Sequence, residues 1–227
     1  MCTERVRLGT MVTPLSRRRP WKVARETVTL DHLSHGRLIL PVGLGAVTEG
    51  GFAKVGEEVD RKVRAAMLDE ALAVLTGLWS GQPFSYSGQH YQVQEMTFLP
   101  SPMQSPRIPI WVIGAWPRMQ SIRRTLRRDG ILPIKMHEDG TFAQMTPADI
   151  QDLNALLEDY HLQSPPLEIV LEGETPGGDR ARAVTIVRPF AQAGVTWWLE
   201  DLWATYETQE GVEGMRMRIL QGPPRID

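Results

Sequence analysis

The feature that most constrains this chain is the alternation of short apolar runs with longer amphipathic segments. Arg37 to Val42 (RLILPV), Ile108 to Ile113 (IPIWVI) and Leu167 to Leu171 (LEIVL) are nearly unbroken apolar stretches. Such runs suit strands of a parallel sheet, which are buried on both faces. Three further strands are expected at Arg5 to Val12, Gly130 to Ile134 and Val195 to Leu199. In the first of these, Val6, Leu8 and Thr10 share one side and Pro14 closes the run. Six strands alternating with helices define an α/β class.

The helices are marked by periodicity and by their ends. Pro20 opens the first in its first turn, Val23, Thr27, Leu30 and Leu33 supply its stripe, and Gly36 is the expected left-handed cap. Leu68, Ala71, Leu72, Leu75, Leu78 and Trp79 form the stripe of a second, running to Trp79. Met119 to Arg128 reads as a basic helix. Thr146, Pro147 and Asp149 make a helix start with a capping threonine and an acidic residue three positions on, and the stripe continues through Ile150, Leu153, Leu157 and Tyr160. Asp179 to Ala193, ended by Gly194, and Gln209 to Gln221 complete the helices. Residues 82–95 read as a small hairpin around Ser87-Gly88, inserted in a single domain spanning 1–227. The long segment Gly43 to Arg61 is Gly-rich and acidic, and a loop of that length is usually functional.

Composition excludes several classes. A formal net charge of -2 lacks the basic excess of a dedicated nucleic-acid binder. One cysteine, Cys2, is too few for a disulfide framework or a cysteine-rich zinc site. The N-terminus has no apolar run of a signal peptide, and no stretch approaches the length of a membrane span. The expectation is a cytoplasmic protein without nucleic-acid or membrane partners. His32, His35, His90, His137 and His161 show no metal-binding spacing, and no P-loop or GxSxG elbow occurs.

Four segments in order, GTMVTPLSRRRP, TLDHLSHGRLILPVGLG, LDEALAVLTGLWSG and IPIWVIGAWP, resemble the luciferase-like flavin-dependent oxidoreductases. The string Leu30-Asp31-His32-Leu33-Ser34-His35-Gly36-Arg37 is the most specific. The resemblance implies a TIM-type (β/α)8 barrel holding FMN, or alternatively a deazaflavin coenzyme, at the C-terminal ends of its strands. It further implies that the chain begins at the family's third strand, lacking two N-terminal β/α units and a histidine expected beside the ring. A small-molecule substrate, a flavin reductase partner and a homodimer follow from family habit. A non-catalytic flavin-binding relative and a gene fragment are the alternative readings.

Matching segment by segment places the cofactor contacts. The strand end Thr10-Met11-Val12 corresponds to a bulge with a non-proline cis peptide, at Met11-Val12, that backs the ring. Gly43, Leu44 and Gly45 correspond to a second strand end where backbone approaches a flat ligand closely. Pro41 stands where the subgroup has glycine and removes a ladder donor. Ile113, Gly114, Ala115, Trp116 and Arg118 correspond to a turn that holds the phosphate, with Arg123 as a more distant charge. Trp116 and Pro117 replace the family's small hydroxyl residue there. Each segment also reads as ordinary structure: a buried strand, a plain turn, and a strand–helix turn with solvated arginines. Arg123, Arg124, Arg127 and Arg128 read as a solvated helix face. Glu200 and Asp201, at the end of the last strand, are candidates for the substrate mouth or a proton carrier. Trp197 and Trp198 beside them read better as packing.

Overall fold

The computed structural model describes residues 3–47, 51–137, 141–160, 166–202 and 209–224. Cys2, His161 and Trp203 lie outside the described residues, as do residues 48–50 and 138–140. The chain packs into two units, Met1–Ile113 and Gly114–Asp227.

Unit 1 begins with an extended segment that makes one isolated parallel bridge, Leu8 to Leu38, before the short strand β1 (Thr13–Pro14). Expecting a regular strand over Arg5 to Val12 was therefore too generous. The backbone there is tied to one neighbour, through Leu8 N–H to Arg37 O at 3.0 Å and Ile39 N–H to Leu8 O at 2.8 Å. Its side chains Val6, Leu8 and Met11 stay exposed, so burial does not enforce a longer ladder. Helix α1 (Pro20–Ser34) starts on its proline as expected. Its buried face is Val23, Ala24, Thr27, Val28, Asp31 and Ser34, whereas Leu30 and Leu33 are exposed. The expected stripe was thus rotated about the helix axis. The left-handed cap falls on His35 (φ 55), and Gly36 (φ 73) follows in the same region.

Strand β2 (Leu40–Gly43) is wholly buried. Pro41 is accommodated within its ladder, opposite Trp111. Asp60 caps α2 (Arg61–Trp79) by accepting from the Lys62 and Val63 N–H groups. All six residues of the expected α2 stripe are buried. The hairpin consists of β3 (Pro83–Ser87) and β4 (Gln92–Thr97). Strand β5 (Ile110–Trp116) runs past Gly114, where it was expected to stop. Strands β1, β2 and β5 lie side by side and parallel. Leu15, Val42, Leu68, Leu72, Leu75, Ile110 and Val112 are among the residues of the unit 1 core.

Unit 2 contains α3 (Met119–Thr125), β6 (Gly130–Met136), β7 (Phe142–Ala143), α4 (Pro147–Tyr160), β8 (Glu168–Gly173), α5 (Arg180–Ala193), β9 (Trp197–Glu200) and α6 (Gln209–Gln221). Strands β6, β8 and β9 are parallel, and β7 adds an antiparallel pair to β6 that the periodicity does not announce. The α4 capping box forms as expected, with Thr146 N–H to Asp149 Oδ2 at 2.8 Å and Asp149 N–H to Thr146 Oγ1 at 3.2 Å. Tyr160 is exposed and does not extend the stripe of Ile150, Leu153 and Leu157. Gly194 (φ 113) ends α5. Strand β9 begins at Trp197, two residues after the expected Val195, and ends at Glu200. The class is α/β, with six parallel strands of the TIM-type (β/α)8 pattern among the described residues.

Candidate functional site

In unit 1 the predicted residues of β1, β2 and β5 meet at Gly43. A Cβ placed there would sit 2.9 Å from Ile113 Cδ1 and 3.4 Å from Val12 Cγ2. The register explains the meeting, because Thr13 pairs with Val42 and Pro14 with Gly43. The Met11-Val12 peptide is cis, at the bond the resemblance singles out. Beside it, the hydroxyls of Thr10 and Thr13 are hydrogen-bonded at 2.7 Å. Gly45 is required by its own backbone: its φ is +78, and a Cβ would fall 2.7 Å from the Phe52 ring and 2.8 Å from Pro14 Cβ.

Arg64, on α2, holds this strand end from behind. Its Nη1 donates to Leu44 O at 2.8 Å and to Gly45 O at 2.9 Å. Its guanidinium lies over the Phe52 ring at 5.1 Å, and that of Arg17 lies over the same ring at 4.9 Å. Arg64 is only 5% exposed, and its buried Nε has no hydrogen-bond partner. Burial lowers the Arg64 pKa, against the opposing pull of Asp60 and Glu58. Sequence reasoning did not single out Arg64, because its acceptors lie 19 and 20 residues away.

In unit 2 the turn at Gly114–Arg118 is internally bonded. Ala115 N–H donates to Ser121 Oγ at 2.9 Å, and Arg118 N–H donates to Ala115 O at 2.8 Å. Pro117, after a cis Trp116-Pro117 bond, has no N–H to offer. Gly114 is needed for packing, since a Cβ would fall 2.6 Å from Ile131 Cδ1. Arg118 is half-buried and reaches the His137 carbonyl only at 3.5 Å. Ser121 supplies a hydroxyl near the turn, three residues inside the helix.

Glu200 is fully engaged. Its carboxylate accepts from Thr175 N–H and Oγ1, from Trp198 Nε1 at 3.3 Å and from Arg218 Nη2 at 3.0 Å. Arg218 also donates from Nε to Thr175 O at 3.1 Å. The network ties β9, the segment after β8 and α6 together within unit 2. Asp201 continues the backbone pairing through its N–H to Gly173 O at 2.9 Å. Trp198 packs on Phe190 and over Gly173, the packing role expected for it.

The most specific motif is structural. Asp31, with no exposed surface, accepts from Met103 N–H at 2.7 Å, Gln104 N–H at 3.1 Å and Gln104 Nε2 at 2.7 Å. Arg37 donates to Ser34 O at 2.8 Å and to Val6 O at 2.6 Å, anchoring the N-terminal segment. Among the described residues no cluster of His, Cys, Asp or Glu could hold a metal ion, and no helix is long and apolar enough to cross a membrane.

Residues 1–194 match the model of the luciferase-like monooxygenases, and the chain belongs to that family. It is 36% identical over 118 residues to the F420-dependent glucose-6-phosphate dehydrogenase of Intrasporangium calvum, across 51% of this chain and 35% of that enzyme. The chain therefore aligns with about a third of that relative's length. Its fold is similar to the coenzyme F420-dependent tetrahydromethanopterin reductase of Methanopyrus kandleri, with a TM-score of 0.67 at 14% identity over 93% of this chain and 82% of the other. It is also similar to a type II Baeyer-Villiger monooxygenase of Pseudomonas putida in complex with FMN, with a TM-score of 0.55 at 17% identity over 84% of this chain and 55% of the other.

A flavin-type ring fits beside Gly43, at the end of β2, by two observations. Val12 and Ile113 give an apolar wall around Gly43, and Arg64 leaves a buried Nε without a partner behind it. The unit 2 turn fits a phosphate less well, because the N–H groups of Ala115 and Arg118 are already bonded.

Proposed function

We propose that this chain binds FMN and serves as a luciferase-like oxidoreductase acting on a small organic molecule. The observation that carries the reading is the convergence of Val12, just before β1, and Ile113, within β5, on Gly43 at the C-terminal end of β2. In parallel α/β folds, ligands sit at the C-terminal ends of the strands. Bound FMN would supply the redox chemistry, while the protein supplies orientation and exclusion of water. Val12 and Ile113 would press on the ring, and Gly43 would let backbone approach it. Leu44 and Gly45, held by Arg64, would keep the loop from collapsing into that space.

The coenzyme F420 is the second reading, favoured by the 36% identity to an F420-dependent dehydrogenase. A soluble cytoplasmic protein, a flavin reductase partner and a homodimer belong to the same proposal. Absorbance titration of the purified protein with FMN and with F420 tests it. Saturable binding of FMN supports the first reading, and binding of F420 alone supports the second. No binding of either at high micromolar concentration overturns both.

A further inference from the structure

We propose that Arg64 is a buried cation that makes this site favour the negatively charged, reduced form of FMN over the oxidised form. The inference rests on the FMN reading above and adds a role for a residue that lies outside the predicted contact set.

Three observations carry it. Arg64 is nine-tenths buried, yet no carboxylate among the described residues hydrogen-bonds it; its acceptors are the neutral carbonyls of Leu44 and Gly45. Its Nε is buried and unpaired. It bonds the carbonyls of Leu44 and Gly45, the two residues that follow Gly43, on which Val12 and Ile113 converge. Burying a cation without a bonded counter-ion is costly, and a protein commonly offsets that cost by pairing. Here the nearby acids Asp60 and Glu58 act only at longer range, and Arg61 opposes them. The other cation on the Phe52 ring, Arg17, is exposed, so water screens its charge. Arg64 is left as a positive charge in a poorly screened region, which stabilises an anion brought near it.

FMN provides such an anion. Uptake of two electrons and one proton, from dithionite and solvent in the test below, gives a hydroquinone anion one charge more negative than the oxidised ring. Tighter binding of that form is equivalent, by linkage, to easier reduction of bound FMN.

The experiment measures Kd for oxidised FMN and, anaerobically, for dithionite-reduced FMN, in the wild type and in Arg64→Gln and Arg64→Lys. Gln retains a donor for the Leu44 carbonyl and removes the charge; Lys retains the charge. Circular dichroism of each variant checks folding. The expected result is a ratio of oxidised to reduced Kd that falls at least tenfold in Arg64→Gln and stays within threefold of wild type in Arg64→Lys. An unchanged ratio in Arg64→Gln overturns the proposal, as does loss of both forms in parallel in the two variants, which would make Arg64 a loop anchor only. Failure of the wild type to bind FMN in either form overturns the underlying functional reading and this inference with it.

Discussion

Glu200 and Arg218 are joined at 3.0 Å between Oε2 and Nη2, with both side chains mostly withdrawn from solvent. The pair sits where strand β9 ends, and Thr175 completes its hydrogen bonding. A carboxylate so fully engaged is a structural anchor for α6 before it is a proton carrier. Breaking one side of a buried pair leaves the other charge uncompensated. Arg218→Met is expected to destabilise the protein by about 2–3 kcal/mol, scaled down from a fully buried pair because Glu200 retains some exposure. Urea denaturation checks it, and a change below about 0.5 kcal/mol would count as a surface pair instead.

Asp31 is expected to matter for stability rather than for binding. Its replacement by Ala strands three donors, from Met103 and Gln104, in a buried location. The expected cost is about 3 kcal/mol, read as a lowered urea midpoint with the affinity of the folded protein for FMN unchanged. A selective loss of affinity at full stability would return the motif to the binding site.

Glu70 should make the hairpin sensitive to acid. Burial pushes its carboxyl up, and N–H bonds from His90, Tyr91 and Gln89 more than offset that, leaving the pKa below the ordinary 4.5. The unfolded state then binds the proton more readily, so the contribution of Glu70 is complete above about pH 4.5 and is lost as pH falls through the lower folded value. Glu70→Gln should flatten this part of the stability profile. Thermal melts of both proteins between pH 3 and pH 6 would show it, and parallel profiles would exclude the effect.

Gly45→Ala should harm the loop that Arg64 holds. A side chain there meets both a left-handed backbone and the Phe52 ring. The expected loss is about 1–3 kcal/mol, with weaker FMN binding. Gly56, also left-handed but with open space around its Cβ position, is the control. Its alanine variant should cost only about 1 kcal/mol and leave FMN binding intact.

Much of the architecture was legible because it rests on local rules. The α2 stripe, the Thr146–Asp149 capping box and the Gly194 cap are set by residues within a few positions of one another. Errors arose where tertiary context decides. Leu30 and Leu33 fit a helical stripe, yet α1 turns Ala24 and Val28 inward instead. Residues 5–12 alternate like a strand, but the side chains through Met11 are exposed and give no burial to lengthen the ladder. Of the candidate site, Val12, Gly43 and Ile113 were singled out through the family pattern, and the structure brings these three together. Arg64, Arg218 and Ser121 were not singled out, since each acts on a partner that no short motif brings near. The Asp31 motif marked the family correctly while serving the scaffold.

The measurement closest to the central claim is hydrogen–deuterium exchange of the wild type with and without saturating FMN. The account predicts that added protection is greatest in peptides covering residues 10–13, 42–45 and 110–113, the three segments that meet at Gly43. Protection confined to other segments, or no change at FMN concentrations that saturate a free-standing titration, would contradict it.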